Sequence, residues 1–96
     1  MRNPLALIVE DNERSALQRA AACHEHGFEV MIAPSREDAF RQLRSSPSVD
    51  LLVCDINLDI EDPDDKSGLA VAEVARKERP KLTIVGYSGH FTRLLG

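Results

Sequence analysis

The sequence predicts an α/β domain built on a doubly wound parallel sheet, and three observations carry that prediction. The run from Val49 to Cys54 has no polar alternation and stops abruptly on Asp55, as a strand buried on both faces does. The run Leu5-Ala6-Leu7-Ile8-Val9 ends in the same way, on Glu10-Asp11. Around these runs, strand-like and helix-like stretches alternate as β-α-β-α-β-α-β, the pattern of parallel strands joined by right-handed crossovers.

Each element follows from local chemistry. After the first strand, Asn12 can cap a helix reaching to about His26, with Ala16, Leu17, Ala20, Ala21 and Cys23 on its inward face and Gly27 as the terminating residue. Phe28 to Ile32 reads as a second, shorter strand. Ser35 with Asp38 resembles a capping box with Asp in place of Glu, and it starts a helix running to about Arg44. The central strand ends on Asp55, and a loop from Asn57 to Ser67 follows. Gly68 opens a third helix along Leu69, Ala70, Val71, Val74 and Ala75, which Pro80 ends. Lys81 to Tyr87 is a fourth strand, and Ser88-Gly89-His90 leaves its carboxyl end towards a last short segment.

Composition narrows the class. The chain has 96 residues and reads as a single domain over 1–96, without repeats, linkers or low-complexity segments. Hydrophobic content of 43% and charged content of 29% argue against disorder. No apolar run approaches the roughly 20 residues of a membrane span, and no signal-peptide pattern is present, so no membrane partner and a cytoplasmic location are expected. Cys23 and Cys54 read as reduced core residues rather than a disulfide. A net charge of −4 and a pI near 5.3 speak against direct nucleic-acid binding.

The carboxylates carry the chemistry. Two parallel strands finishing at one edge bring Glu10, Asp11 and Asp55 together at the carboxyl end of the sheet, where open α/β folds bind ligands. Three carboxylates that close raise one another's pKa unless a cation neutralises them, so the sequence implies a metal. Other groupings do not add a site. Asp55-x-Asn57-x-Asp59 starts like an EF-hand loop, but Ile60 stands where Gly is needed and Lys66 where Glu is needed. The loop carboxylates Asp59, Glu61, Asp62, Asp64 and Asp65 read as a solvated surface. His24 and His26 point to different sides of their helix and read as exposed, and His90 reads as a surface residue at the rim of the site.

These motifs resemble the receiver domain of two-component response regulators. Glu10-Asp11 follows strand one and Asp55 strand three, with Asn57 two residues on. Gly68-Leu69 opens the third helix, and Tyr87-Ser88-Gly89 follows strand four. The resemblance covers nearly the whole chain and implies a flavodoxin-like, CheY-like fold with strand order 2-1-3-4. It implies that Asp55 accepts a phosphoryl group from a histidine kinase or phosphotransfer protein. Mg²⁺ would be held by the carboxylates of Asp11 and Asp55, by Glu10 through a water, and by the Asn57 carbonyl. Ser88 matches the hydroxyl residue that reorients towards the phosphoryl group, and Gly89 the small residue beside it. The resemblance thus implies a signalling switch with its own phosphotransfer site, not a metabolic enzyme.

The sequence also departs from that family. Receivers carry a lysine after a fifth strand and an aromatic residue on it, and no lysine follows Lys81 here. The chain therefore reads as a receiver truncated after strand four, with the fifth strand and last helix missing. The loop after Asp55 lacks the proline that receivers often place four residues past the acceptor. An alternative is a pseudo-receiver used for docking or dimerisation without phosphotransfer. A haloacid-dehalogenase-type phosphatase is disfavoured because its second aspartate and threonine are absent. With strand four expected as an open edge, a homodimer through that edge or through the C-terminal segment is expected.

Overall fold

The computed structural model describes residues 3–45, 48–55, 67–88 and 91–95. Its elements are β1 (Leu5–Val9), α1 (Glu13–Glu25), β2 (Glu29–Ala33), α2 (Arg36–Ser45), β3 (Val49–Asp55), α3 (Ser67–Glu78), β4 (Thr83–Ser88) and β5 (Phe91–Leu95). The sheet order is β2-β1-β3-β4-β5, and the first four strands are parallel. The expected doubly wound order 2-1-3-4 is therefore present, with its three helices.

The helix ends follow from their capping residues. Asn12 accepts a hydrogen bond from the Ser15 amide through its side chain at 3.0 Å, satisfying one of the free N–H groups at the start of α1. At the other end, Gly27 adopts a φ of +89°, a left-handed conformation that glycine reaches without steric cost. The Gly27 amide then donates to the His24 carbonyl and the Phe28 amide to the Cys23 carbonyl, which closes the helix in a Schellman turn. At α2 only half of the expected capping box forms. The Asp38 amide donates to the Ser35 hydroxyl, while that hydroxyl, rather than the Ser35 amide, donates to the Asp38 carboxylate.

The main core lies on the face covered by α2 and α3. Leu7 and Val9 of β1, Leu52 and Cys54 of β3 and Ile84 of β4 pack there against Leu43, Val71 and Ala75. Fully burying each Leu, Ile or Val contributes roughly 1.5–3 kcal/mol, so this face holds most of the hydrophobic stabilisation. Arg79, just past α3, donates to the Leu43 carbonyl at the end of α2 and ties the two helices together. Across the sheet, Asp50 sits at an irregularity in the β1–β3 register and accepts a hydrogen bond from the Leu5 amide at 2.8 Å.

The opposite face is more thinly covered. Ile8, Val53 and Tyr87 form its buried cluster, with Ala20 and Cys23 of α1 against them. Ala16 is the buried residue of α1, whereas Leu17 is 56% exposed and Ala21 is also exposed, contrary to the inward face expected for them. The helical period explains the correction. Residues 16, 20 and 23 share one stripe, and Leu17 is rotated about 100° from it. His24 and His26 are exposed, as expected.

The segment after β4 corrects one further expectation, that of a sheet ending at strand four. Only two residues separate Ser88 from Phe91, with which it pairs, and β5 runs back antiparallel along β4. A linker that short permits a hairpin, whereas a parallel strand needs a crossover of a dozen or more residues. The β4 edge is thus covered, and a homodimer through that edge is not available.

Candidate carboxylate site

Register brings the site together at the carboxyl end of the sheet. Val9 pairs with Cys54, so Glu10 and Asp55 lie one step beyond on neighbouring strands, and Asp55 pairs with Tyr87 on the far side. Asp55 therefore stands between Glu10 and Tyr87. Asp11 follows Glu10 where the chain turns into α1. One ligand atom from each of Glu10, Asp11 and Asp55 lies within 4.8 Å of the others. The three carboxylates expected to converge do so.

Burial sharpens their electrostatics. Glu10 is only 4% exposed, and its backbone amide is fixed to the Ala33 carbonyl at 3.0 Å. Burial, then a hydrogen bond with Asp55, then the charges of Asp55 and Asp11 push the Glu10 carboxyl up to about 8. The Cys54 thiol is pushed up to about 12, first by burial and then by Asp55 and Glu10, which keeps it protonated and inert.

A divalent cation fits this arrangement. The Glu10 Oε2 atom is buried with no hydrogen-bond partner, and an orphaned carboxylate oxygen facing two further carboxylates is what a hard cation relieves. Asn57, Gly89, His90 and the acidic loop residues 59–65 lie outside the described residues. Ser88 ends β4 one residue beyond the Asp55–Tyr87 pair, at the correct end of the sheet for its expected role.

Sequence reasoning missed two residues here. Tyr87 is 3% exposed beside Asp55, and the Arg19 guanidinium lies 3.3 Å from the centroid of its ring. Arg19 stacks on the ring face, and Tyr87 Oη has no hydrogen-bond partner. The signal for Arg19 was its place three residues after Ala16, on the same inward stripe.

Comparison with solved structures agrees with this geometry. A response regulator receiver protein from Sinorhizobium medicae has 31% identity, covering 94% of this chain and 69% of its own, with a TM-score of 0.77. The response regulator TrrA from Thermotoga maritima, solved in complex with Mg²⁺-BeF, has 26% identity over 88% of this chain and 69% of its own, at a TM-score of 0.76. A receiver protein from Pseudomonas putida has 25% identity over 95% of this chain and 72% of its own, also at 0.76. No protein-family model matches the chain, and no curated protein matches it. These likenesses, with the carboxylate edge, define an α/β receiver domain. The chain belongs to the response regulator receiver family. It spans between 58% and 72% of the length of the first six solved structures it matches.

Proposed function

We propose that the chain is a phosphoacceptor receiver of a two-component pathway. The observation that carries this reading is the meeting of Glu10, Asp11 and Asp55 within 4.8 Å at the carboxyl edge of a receiver sheet, with one buried carboxylate oxygen unsatisfied. Glu10, Asp11 and Asp55, with the Asn57 carbonyl, are the proposed Mg²⁺ ligands. When bound, the cation neutralises the repulsion between the Asp55 carboxylate and the incoming phosphate. An Asp55 carboxylate oxygen attacks phosphorus as the bond from phosphorus to the donor histidine nitrogen breaks; the donor ring, protonated on its other nitrogen, keeps the electron pair and leaves as a neutral imidazole, and Asp55 becomes an aspartyl phosphate. Ser88 is the proposed hydroxyl partner of that phosphoryl group. The domain is then a signalling switch rather than a metabolic enzyme.

The proposed partner is a histidine kinase or phosphotransfer protein. The exposed surface formed by Asn12, Glu13, Arg14, Leu17, Gln18 and Ala21 lies beside the acceptor edge and suits a helical partner. The proposed compartment is the cytoplasm, which the two free cysteines, Cys23 and Cys54, support. The proposed homodimer uses the C-terminal segment, whose strand β5 is an outer edge of the sheet, and sedimentation over a concentration series reads it.

One observation favours a second reading, a docking module without phosphotransfer. Strand β5 starts at the site end, opposite Ser88, and runs away from it, so it ends at Leu95 opposite Ile84 and brings no lysine to Asp55. Incubation with acetyl phosphate and Mg²⁺, followed by intact mass, separates the two. Phosphotransfer predicts the gain of one phosphoryl group that Asp55→Asn abolishes. An unmodified wild-type chain supports the docking module.

A further inference from the structure

We propose that Tyr87 is a positioning residue of the carboxylate site. Its hydroxyl donates, directly or through one water, to the Glu10 carboxylate when a divalent cation is bound, and Arg19 holds the ring for that contact. This inference rests on the cation reading above and deepens it.

Two complementary orphans carry the argument. Tyr87 is 3% exposed, and its Oη, a donor, has no hydrogen-bond partner. Glu10 is 4% exposed, and its Oε2, an acceptor, has none either. Leaving either atom dry and unpaired is unfavourable by about 1–3 kcal/mol, so a contact that satisfies both is stabilising.

Both groups lie at the same end and on the same face of the sheet. Tyr87 pairs with Asp55, and alternation along parallel strands puts Tyr87, Asp55 and Glu10 on the α1 face. Tyr87 belongs to one buried cluster with Val53 of β3 and Ile8 of β1. Arg19, 3.3 Å above the ring centroid, closes the other side and fixes the ring plane.

Cation binding makes the contact useful. A cation draws at least one oxygen of each carboxylate towards itself, and the remaining oxygens then need donors that fix their orientation. Asp11 and Asp55 already have other contacts. Among the described residues, two buried donors on this face have no hydrogen-bond partner, Tyr87 Oη and Arg19 Nε, and of these Tyr87 lies on the strand paired with Asp55.

The test uses a property of the sequence. Tyr87 is the sole tyrosine and the chain has no tryptophan, so ultraviolet absorbance and emission report on this ring alone. Mg²⁺ should change the tyrosine emission of the wild-type chain with the same midpoint as its shift in melting temperature. Tyr87→Phe keeps the ring, the Arg19 stack and the fold, and should bind Mg²⁺ about tenfold more weakly. A Tyr87→Phe affinity equal to that of the wild type, or a tyrosine signal unmoved at saturating Mg²⁺, overturns the proposal and leaves the carboxylate site standing. A change in metal-free melting alone marks a purely structural role and also overturns it. A wild-type chain that binds no Mg²⁺ overturns this proposal and the cation reading together.

Discussion

The two faces of the sheet are built to different standards. Beneath α2 and α3, Leu7, Leu52 and Ile84 are at most 1% exposed in a continuous apolar core. Beneath α1, Ile8, Val53 and Tyr87 form a small cluster, and Leu51 and Val85 remain half-buried. That same thin face holds Asp55 together with Glu10, Tyr87 and Arg19, and each of the last three has a buried polar atom without a hydrogen-bond partner. The contrast shows a division of labour: one face supplies the stability, and the other holds the charged groups at the energetic disadvantage that makes a cation welcome.

Cavity-forming substitutions give the largest expected effect. Leu52→Ala, on the thick face, should destabilise by about 2–5 kcal/mol, and Leu51→Ala, its neighbour on the thin face, by less than half as much. Denaturant unfolding of the two variants measures the difference. Equal losses would mean that the α1 face is as well packed as the other.

The next effect is electrostatic. The raised Glu10 pKa means that the folded chain keeps a proton that the unfolded chain releases near 4.5. The metal-free stability from this group is therefore full below about 4.5 and is lost as pH rises through about 8. Mg²⁺ affinity should run the opposite way, rising across that window as the competing proton leaves. Unfolding followed across the window, with and without Mg²⁺, checks both slopes. Asp55→Asn should raise metal-free stability and flatten the first slope.

The smallest stability effect is expected at the exposed surface of α1. Arg14→Glu should change folding stability by less than about 0.5 kcal/mol. It should nevertheless slow phosphoryl transfer from the partner kinase while leaving acetyl phosphate labelling unchanged. Equal loss in both assays would place Arg14 in the site or the fold instead of the docking surface.

Legibility in the sequence followed the same division. Buried strands that end on carboxylates announce themselves, because an apolar run as short as Leu5 to Val9 suits a two-sided buried strand, and its terminal Glu10-Asp11 marks the edge. Asn12 and Gly27 fixed both ends of α1 through capping chemistry alone. The thin face was harder to read. Leu17 is apolar and next in sequence to Ala16, yet it lies about 100° around the helix from the buried stripe and stays exposed. Arg19 and Tyr87 were invisible as a pair, since their contact joins α1 to β4 through the fold and through no motif. The hairpin was partly legible: two residues, one of them glycine, between strand-like runs is a hairpin signal that the expectation of a missing fifth strand obscured.

The most direct test of the central claim is the melting temperature of the wild-type chain as a function of Mg²⁺ concentration, beside that of Asp11→Asn. The wild-type melting temperature should rise with the logarithm of Mg²⁺ once the dissociation constant is exceeded. Asp11→Asn should melt higher than the wild type without metal and respond only weakly to its addition. A wild-type melting temperature indifferent to Mg²⁺ would contradict the claim that Glu10, Asp11 and Asp55 form a cation site.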